Sequence, residues 1–321
     1  MKDVPHAVET SLAGLSDREA WLEKAAEIAD DAGYLERLGE SHAAILIEEK
    51  PTLLVTFETH ESINRQSGSA QPMGWEMVRA LGWSHLCIVS DGDTWFRDRR
   101  VYGFFDRLVD DGFFEDFEQV IFYGAGSCGY AAAAFSVAAP GATVIALQPQ
   151  ATLDPRVAGW DDRFVHMRRT SFTDRYGYAP DMLDAAHHAF VLYDPEIELD
   201  AMHAALFTRP NVTKFRMRHM GAPLDAALMR SNILLRILAR ASADRLDRAS
   251  LAQLFRARRK DLVYLRAVLA RLEGDKRHYL TALLAQYVMA RTPGPRFRRA
   301  VRSAYDRAAE LDLPMPARTV T

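Results

Sequence analysis

Cysteine is scarce, with two residues, Cys87 and Cys128, in a chain of 321. That excludes a disulfide-stapled scaffold and points to a reducing compartment. Long apolar runs are lacking too: nothing approaches the ~18 uninterrupted apolar residues that cross a bilayer. The opening MKDVPHAVETSLAGLSDREAW has no segment suited to a signal peptide, so the expectation is a soluble, cytoplasmic chain. Neither an H-E-x-x-H nor a C-x-x-C spacing occurs, and His187 and His188 are adjacent and poorly placed to share an ion. No metal and no cofactor are expected. What is present is ordinary globular material, 49% hydrophobic and 26% charged, in a chain long enough to bury a sizeable core unaided.

The net charge of −3 hides a division. Residues 1–208 hold 16 Lys and Arg against 34 Asp and Glu, whereas residues 209–321 hold 24 against 9. Such asymmetry suits either a basic region for an external partner or two halves that neutralise each other. No nucleic-acid recognition motif accompanies the densest basic patch, Arg256–Lys260. Leu262, Leu265, Val268, Leu269 and Leu272 form one helical face there. Packing against the acidic half, or against a protein partner, is therefore favoured over nucleic acid.

Along the chain, Ser16 with Glu19 reads as a capping box opening a helix over Asp17–Glu40. Strand-like runs follow at Ala43–Ile47, Leu53–Phe57, His85–Ser90, Val120–Tyr123, Thr143–Leu147, Ala189–Tyr193 and Val212–Met217. A turn at Glu48-Glu49-Lys50-Pro51 separates the first two. Helical patterns alternate with the strands at Trp75–Leu81, Arg99–Val109, the Ala-rich stretch to Ala138, Leu199–Phe207 and Pro223–Ala241. Near-continuous apolar strands between helices predict a mostly parallel sheet covered on both faces, an α/β fold. After Ala241 only helices are expected, over Leu246–Leu272, Lys276–Ala290 and Phe297–Leu311. The expected divisions are an N-terminal helical segment 1–42, an α/β domain 43–241 and a basic helical subdomain 242–321. The excursion 148–188, long and without clear period, suits a lid or binding insertion.

The sharpest local feature is Val120-Ile121-Phe122-Tyr123-Gly124-Ala125-Gly126-Ser127-Cys128-Gly129-Tyr130-Ala131. From Gly124 it reads G-x-G-x-x-G, a dinucleotide fingerprint; from Ala125 it reads small-x-Ser-x-small, a nucleophile elbow. A dinucleotide site needs an acid about 20 residues on, at the end of the next strand. That strand ends Ala146-Leu147-Gln148-Pro149, with no acid before Asp154. An elbow needs an acid and then a histidine after later strands. Asp194 and His219 supply them, with one strand between the serine strand and the acid strand. The order favours the elbow and counts against a nucleotide-binding oxidoreductase.

With Tyr123–Tyr130 as elbow, Tyr193-Asp194-Pro195 as acid turn and His219-Met220-Gly221 as histidine loop, residues 43–241 resemble the α/β-hydrolase superfamily. Ala125 stands where the strict elbow has glycine, and Phe57-Glu58-Thr59-His60 lacks a glycine-rich oxyanion signature. The resemblance implies Ser127 as nucleophile, His219 as its base and Asp194 as the group orienting the imidazole. It implies oxyanion donors from the backbone amides of Cys128 and Thr59, with Glu58 the alternate to Thr59. The implied activity is hydrolysis of, or acyl transfer from, an ester, thioester or amide of a small molecule.

Asp91-Gly92-Asp93-Thr94-Trp95 follows a strand on the same edge. Its Asp93 and Trp95, with Glu58, either line the substrate pocket or simply end the strand. Arg163, Arg168 and Arg169 read as a solvated charge run, Cys87 as core, and Cys128 as a small packing residue. The reading from a different class is a non-catalytic hydrolase-like protein that binds a ligand or partner through the same pocket.

Overall fold

The computed structural model describes residues 6–15, 17–49 and 51–317. Ser16 and Lys50, expected in a helix cap and a turn, lie outside the described residues. The described chain falls into two compact units, divided between Ala252 and Gln253.

The first unit is built on eight strands: β1 (Gly33–Arg37), β2 (His42–Ile47), β3 (Thr52–Thr59), β4 (Ser84–Ser90), β5 (Gln119–Ala125), β6 (Thr143–Leu147), β7 (His188–Tyr193) and β8 (Val212–Arg216). They form one sheet in the order β1-β2-β4-β3-β5-β6-β7-β8. β2 pairs antiparallel with both β1 and β4, and every other neighbouring pair is parallel, so β2 alone runs against the rest. Parallel neighbours need crossovers, and helices supply them. These are α1 (Arg18–Ala29) before the sheet, then α2 (His60–Gln66), α3 (Gly74–Leu81), α4 (Arg99–Asp110), α5 (Ser127–Phe135), α6 (Pro155–Ala158), α7 (Ala179–Met182), α8 (Glu198–Leu206), α9 (Leu224–Arg230) and α10 (Leu234–Ser242).

Alternate strand residues feed two apolar layers, as a pleat with both faces covered requires. Leu46, Val55, Phe57, Leu86, Ile88 and Phe122 join one with Phe105 and Phe135. Ile45, Ile47, Cys87 and Val89 join the other with Trp21, Ala25, Trp75 and Val78. Ala131–Ala134 of α5 are fully buried; their small side chains let this helix lie close to the strands.

Four elements differ from expectation. The helix expected over Asp17–Glu40 stops at Ala29, capped at its start by Asp17, whose carboxylate accepts from the Ala20 N–H at 3.0 Å. The remainder forms β1. The polar loop after β3 contains α2, which begins with reciprocal hydrogen bonds between Thr59 and Ser62. The helix expected over Pro223–Ala241 breaks at Asn232, which adopts φ 51°; Asn tolerates that left-handed conformation at a helix end. The helix expected over Leu246–Leu272 divides into α11 (Arg248–Phe255), a 3-10 turn at Arg256–Lys260 and α12 (Leu262–Gly274). Asp261 starts α12 by accepting from the Val263 N–H at 2.9 Å.

The second unit contains α12, α13 (His278–Met289) and α14 (Pro295–Glu310). They share a core of Leu265, Leu269, Ala285, Val288, Phe297 and Ala300. No helix among the described residues is long and apolar enough to cross a membrane.

Candidate functional site

The turn leaving β5 is set by its glycines. A β-carbon on Gly124 would stand 2.1 Å from the Cys128 carbonyl oxygen and 2.4 Å from its carbonyl carbon. Only glycine lets the strand end and the helix start cross that closely. Gly126 takes φ 59° and ψ −124°, and a β-carbon there would meet no atom within 4 Å. Its N–H donates to the Leu147 carbonyl at 2.8 Å, and its own carbonyl accepts the first helical bond from Tyr130 at 2.9 Å.

The apex of the elbow is therefore Gly126, crossed by Gly124 and Cys128. The expected frame, with Ser127 on the strained turn between Ala125 and Gly129, is displaced by one residue. Ser127 is the first residue of α5. The physical reason is conformational: positive φ is inexpensive for glycine and costly for serine. The amide following the apex is Ser127's, one residue ahead of the expected Cys128 donor. The other expected oxyanion donor, the Thr59 N–H, donates to Ser62 Oγ at 3.1 Å.

A cavity of about 610 Å³ opens over this turn at the C-terminal edge of the strands, where open α/β sheets bind their ligands. Glu58, Thr59, Asp93, Trp95, Ser127 and Cys128 line it together with Gly126. Asp194 and His219 lie outside that lining. They occupy the ends of adjacent strands: Asp194 directly after β7 and His219 beyond β8. Buried Asp194 accepts from the Glu196 N–H at 3.0 Å and the Gly221 N–H at 2.8 Å. The acid turn thus holds the histidine loop through its backbone. His219 itself is half-buried with φ 65°.

Other lining residues were not anticipated: Tyr123, Gln148, Gln150, Phe164, Asp200 and Asp225. Gln148 and Gln150 directly follow β6, a position that could have marked them. Arg163, read as solvated, instead bridges Asp161 at 2.8 Å and Asp200 at 2.6 Å, with its guanidinium over the Phe164 ring. Asp161 also meets His203 Nε2 at 2.9 Å, and His203 Nδ1 accepts from the Ala151 N–H at 3.2 Å. Burial opposes the charge on Asp161, but the bonds from Arg163 and His203 hold its carboxyl below the usual range.

Two polar groups in the wall are buried without a partner, Trp95 Nε1 and Gln150 Oε1. Trp95 and the following Phe96 hold φ values of 50° and 55°. Bulky residues rarely adopt that conformation, and such strain clusters at ligand sites.

Behind the cavity lies a buried polar chain. Thr56 Oγ1 donates to Glu58 Oε1 at 2.7 Å and lies 2.8 Å from His85 Nε2. With its one proton committed to Glu58, the hydroxyl accepts from Nε2–H. His85 Nδ1 is left bare, in keeping with its having no partner. Burial pushes the Glu58 carboxyl up, against the bonds from Thr56 and Met73, and pulls His85 down to about 3.

Two groups of side chains have a metal-compatible arrangement among the described residues: buried Glu58, His85 and Cys87, and exposed His187, His188 and Asp244. In the first, the Thr56 hydroxyl already bonds Glu58 and His85. Burial also raises the Cys87 thiol well above its ordinary value, which opposes the thiolate a metal needs.

These buried groups give a pH dependence with a definite sign. Burial pulls His42 down to about 4 and lowers His203. The unfolded chain therefore takes up protons below pH ~6.5 that the native chain refuses, and stability falls with pH, by about 3 kcal/mol near pH 4 for His42. Glu58 acts oppositely. Its raised value means the native chain keeps a proton that the unfolded chain loses above pH ~4.5, so Glu58 disfavours folding at neutral pH. Urea unfolding of the wild type should show lower stability at pH 4.5 than at pH 7. Glu58→Gln should gain over wild type at pH 8 and lose that gain by pH 4.

Eight strands in this order, with only the second reversed and a glycine-crossed elbow after the fifth, give the chain an α/β-hydrolase fold. No protein-family model matches the sequence, and no curated protein matches it. Among solved structures, Est1E from Butyrivibrio proteoclasticus overlaps with a TM-score of 0.44 at 14% identity, covering 66% of this chain and 99% of that one. The capsule O-acetyltransferase of Neisseria meningitidis serogroup A gives 0.41 at 9%, covering 63% and 94%. Brefeldin A esterase, a bacterial homologue of human hormone sensitive lipase, gives 0.39 at 12%, covering 79% and 87%.

Proposed function

We propose that this chain binds a small molecule in the cavity over the elbow without a serine nucleophile at the apex. The observation that carries this reading is Gly126: the position at the turn's apex, with positive φ and an open β-carbon direction, has no side chain to react. The unpartnered Trp95 Nε1 and Gln150 Oε1 support binding, because buried polar groups left unpaired cost about 1–3 kcal/mol each and a ligand would satisfy them.

A second reading has its own support. Ser127 lines the cavity one residue past the apex, and Asp194 fixes the loop of His219 through Gly221. In that reading His219 takes the Ser127 proton as the serine attacks an acyl carbonyl and returns it to the departing alcohol, thiol or amine as the old acyl bond breaks; water or another acceptor then takes the acyl group and the serine regains its proton. Labelling by a fluorophosphonate probe separates the two. The first predicts no label on wild type under conditions that label a serine esterase. Label on wild type that disappears in Ser127→Ala would establish the second and overturn the first.

A further inference from the structure

We infer that His187, His188 and Asp244 form a surface site for a zinc-class divalent cation, at the end of the sheet opposite the elbow. Neighbouring residues within a strand point to opposite faces. Here His188 opens β7, whereas His187 lies just before it, tied by its N–H to the Ala142 carbonyl at 2.9 Å. The two rings consequently come together, with centroids 4.2 Å apart.

Asp244, in the turn after α10 with φ 49°, completes the group. His187 Nε2 is 3.8 Å from Asp244 Oδ1, and one ligand atom from each residue lies within 4.8 Å of the others. Tetrahedral zinc with bonds of about 2.1 Å places its ligand atoms roughly 3.4 Å apart. Small side-chain rotations at exposed positions close that difference.

Two imidazoles and one carboxylate favour zinc, nickel or copper over magnesium and calcium, which prefer oxygen. Three protein ligands leave one coordination position open. His187 and Asp244 also line a second cavity of about 720 Å³, whose wall includes Glu115 and Glu118. Those carboxylates add to the attraction for a cation.

The test is titration of the full chain with zinc chloride by calorimetry, with the melting temperature followed in parallel. One equivalent should bind and raise the melting temperature, and excess magnesium should not compete. His188→Ala and Asp244→Ala are exposed substitutions that leave the fold intact. Each should weaken binding by more than the ~10–100-fold that loss of a ligand's supporting hydrogen bond costs. Absence of binding, binding unchanged in both variants, or binding lost only in Cys87→Ala would overturn the assignment.

Discussion

Gly124→Ala is expected to be among the most damaging single substitutions in this chain, and Gly126→Ala, two residues on, a milder one. At Gly124 the new carbon would be pressed to 2.1 Å from the Cys128 carbonyl oxygen. The obstacle is backbone, so β5 and α5 must part rather than a side chain step aside. Overpacking typically costs about 1–3 kcal/mol, and a backbone obstruction at this distance belongs at or above the top of that range. At Gly126 the added carbon meets nothing within 4 Å, leaving only the cost of a side chain at φ 59° and ψ −124°, outside the left-handed helical region, about 1–3 kcal/mol. Chemical unfolding of both variants measures the difference. It also tests the frame of the elbow: with the apex at Ser127, the crossing pair would be Ala125 and Gly129, and Gly124 would tolerate a methyl group. Equal losses in the two variants would remove the basis for placing the apex at Gly126.

The frame is also where sequence and structure part most instructively. The stretch Gly124-Ala125-Gly126-Ser127-Cys128-Gly129 fits an elbow in two registers. A serine draws the eye to one of them. The choice depends on which residue takes positive φ, and a sequence with glycine beside serine does not state that. Six of the seven expected strand runs were legible because each is a nearly unbroken apolar stretch buried on both faces; β8, mixed in polarity and only partly buried, was marked by its place in the alternation of strands and helices. β1 was not: it is an edge strand with two apolar residues, Tyr34 and Leu35, and exposed ends. α2 left a trace, Thr59 three residues before Ser62, but its surroundings are polar enough to read as loop. Asp93, Trp95 and Glu58 reach the cavity wall because they sit at strand ends on the elbow's side. Asp225 sits on that wall too, brought there by a short helix, α9, that local pattern does not orient.

Arg97→Ala should loosen the excursion that follows β6, and the reason is how much one guanidinium holds there. Its side chain is 1% exposed. It donates to the Ser171 carbonyl at 3.0 Å, the Arg175 carbonyl at 2.6 Å and the Tyr130 hydroxyl at 3.3 Å, and it pairs with Asp174. It also stacks over the rings of Tyr102 at 5.0 Å and Phe172 at 5.5 Å. Every carbonyl it satisfies belongs to residues 171–175, while Arg97 itself stands at the start of α4 on the body of the domain. The excursion, expected as a lid or binding insertion, is thus fastened: Tyr130 adds a bond to the Tyr176 carbonyl at 2.5 Å, and Ala179 one to Ala151 at 2.9 Å. Asp174 is half-exposed and stays solvated when its partner is lost, so the cost is that of the charged donor's bonds to the excursion carbonyls, about 1.5–3 kcal/mol. Global unfolding should register a loss of that order. Brief trypsin treatment under native conditions should cut faster at the exposed Arg168 and Arg169 in the variant than in the wild type. Arg97→Lys separates charge from geometry. An ammonium retains the pair with Asp174 but not the planar fork that reaches two carbonyls at once, so its cleavage rate should fall between the other two. A variant with wild-type stability and wild-type trypsin resistance would show that the excursion is held by its apolar contacts, Phe172 and Tyr176 against Tyr130 and Phe135, and not by the arginine.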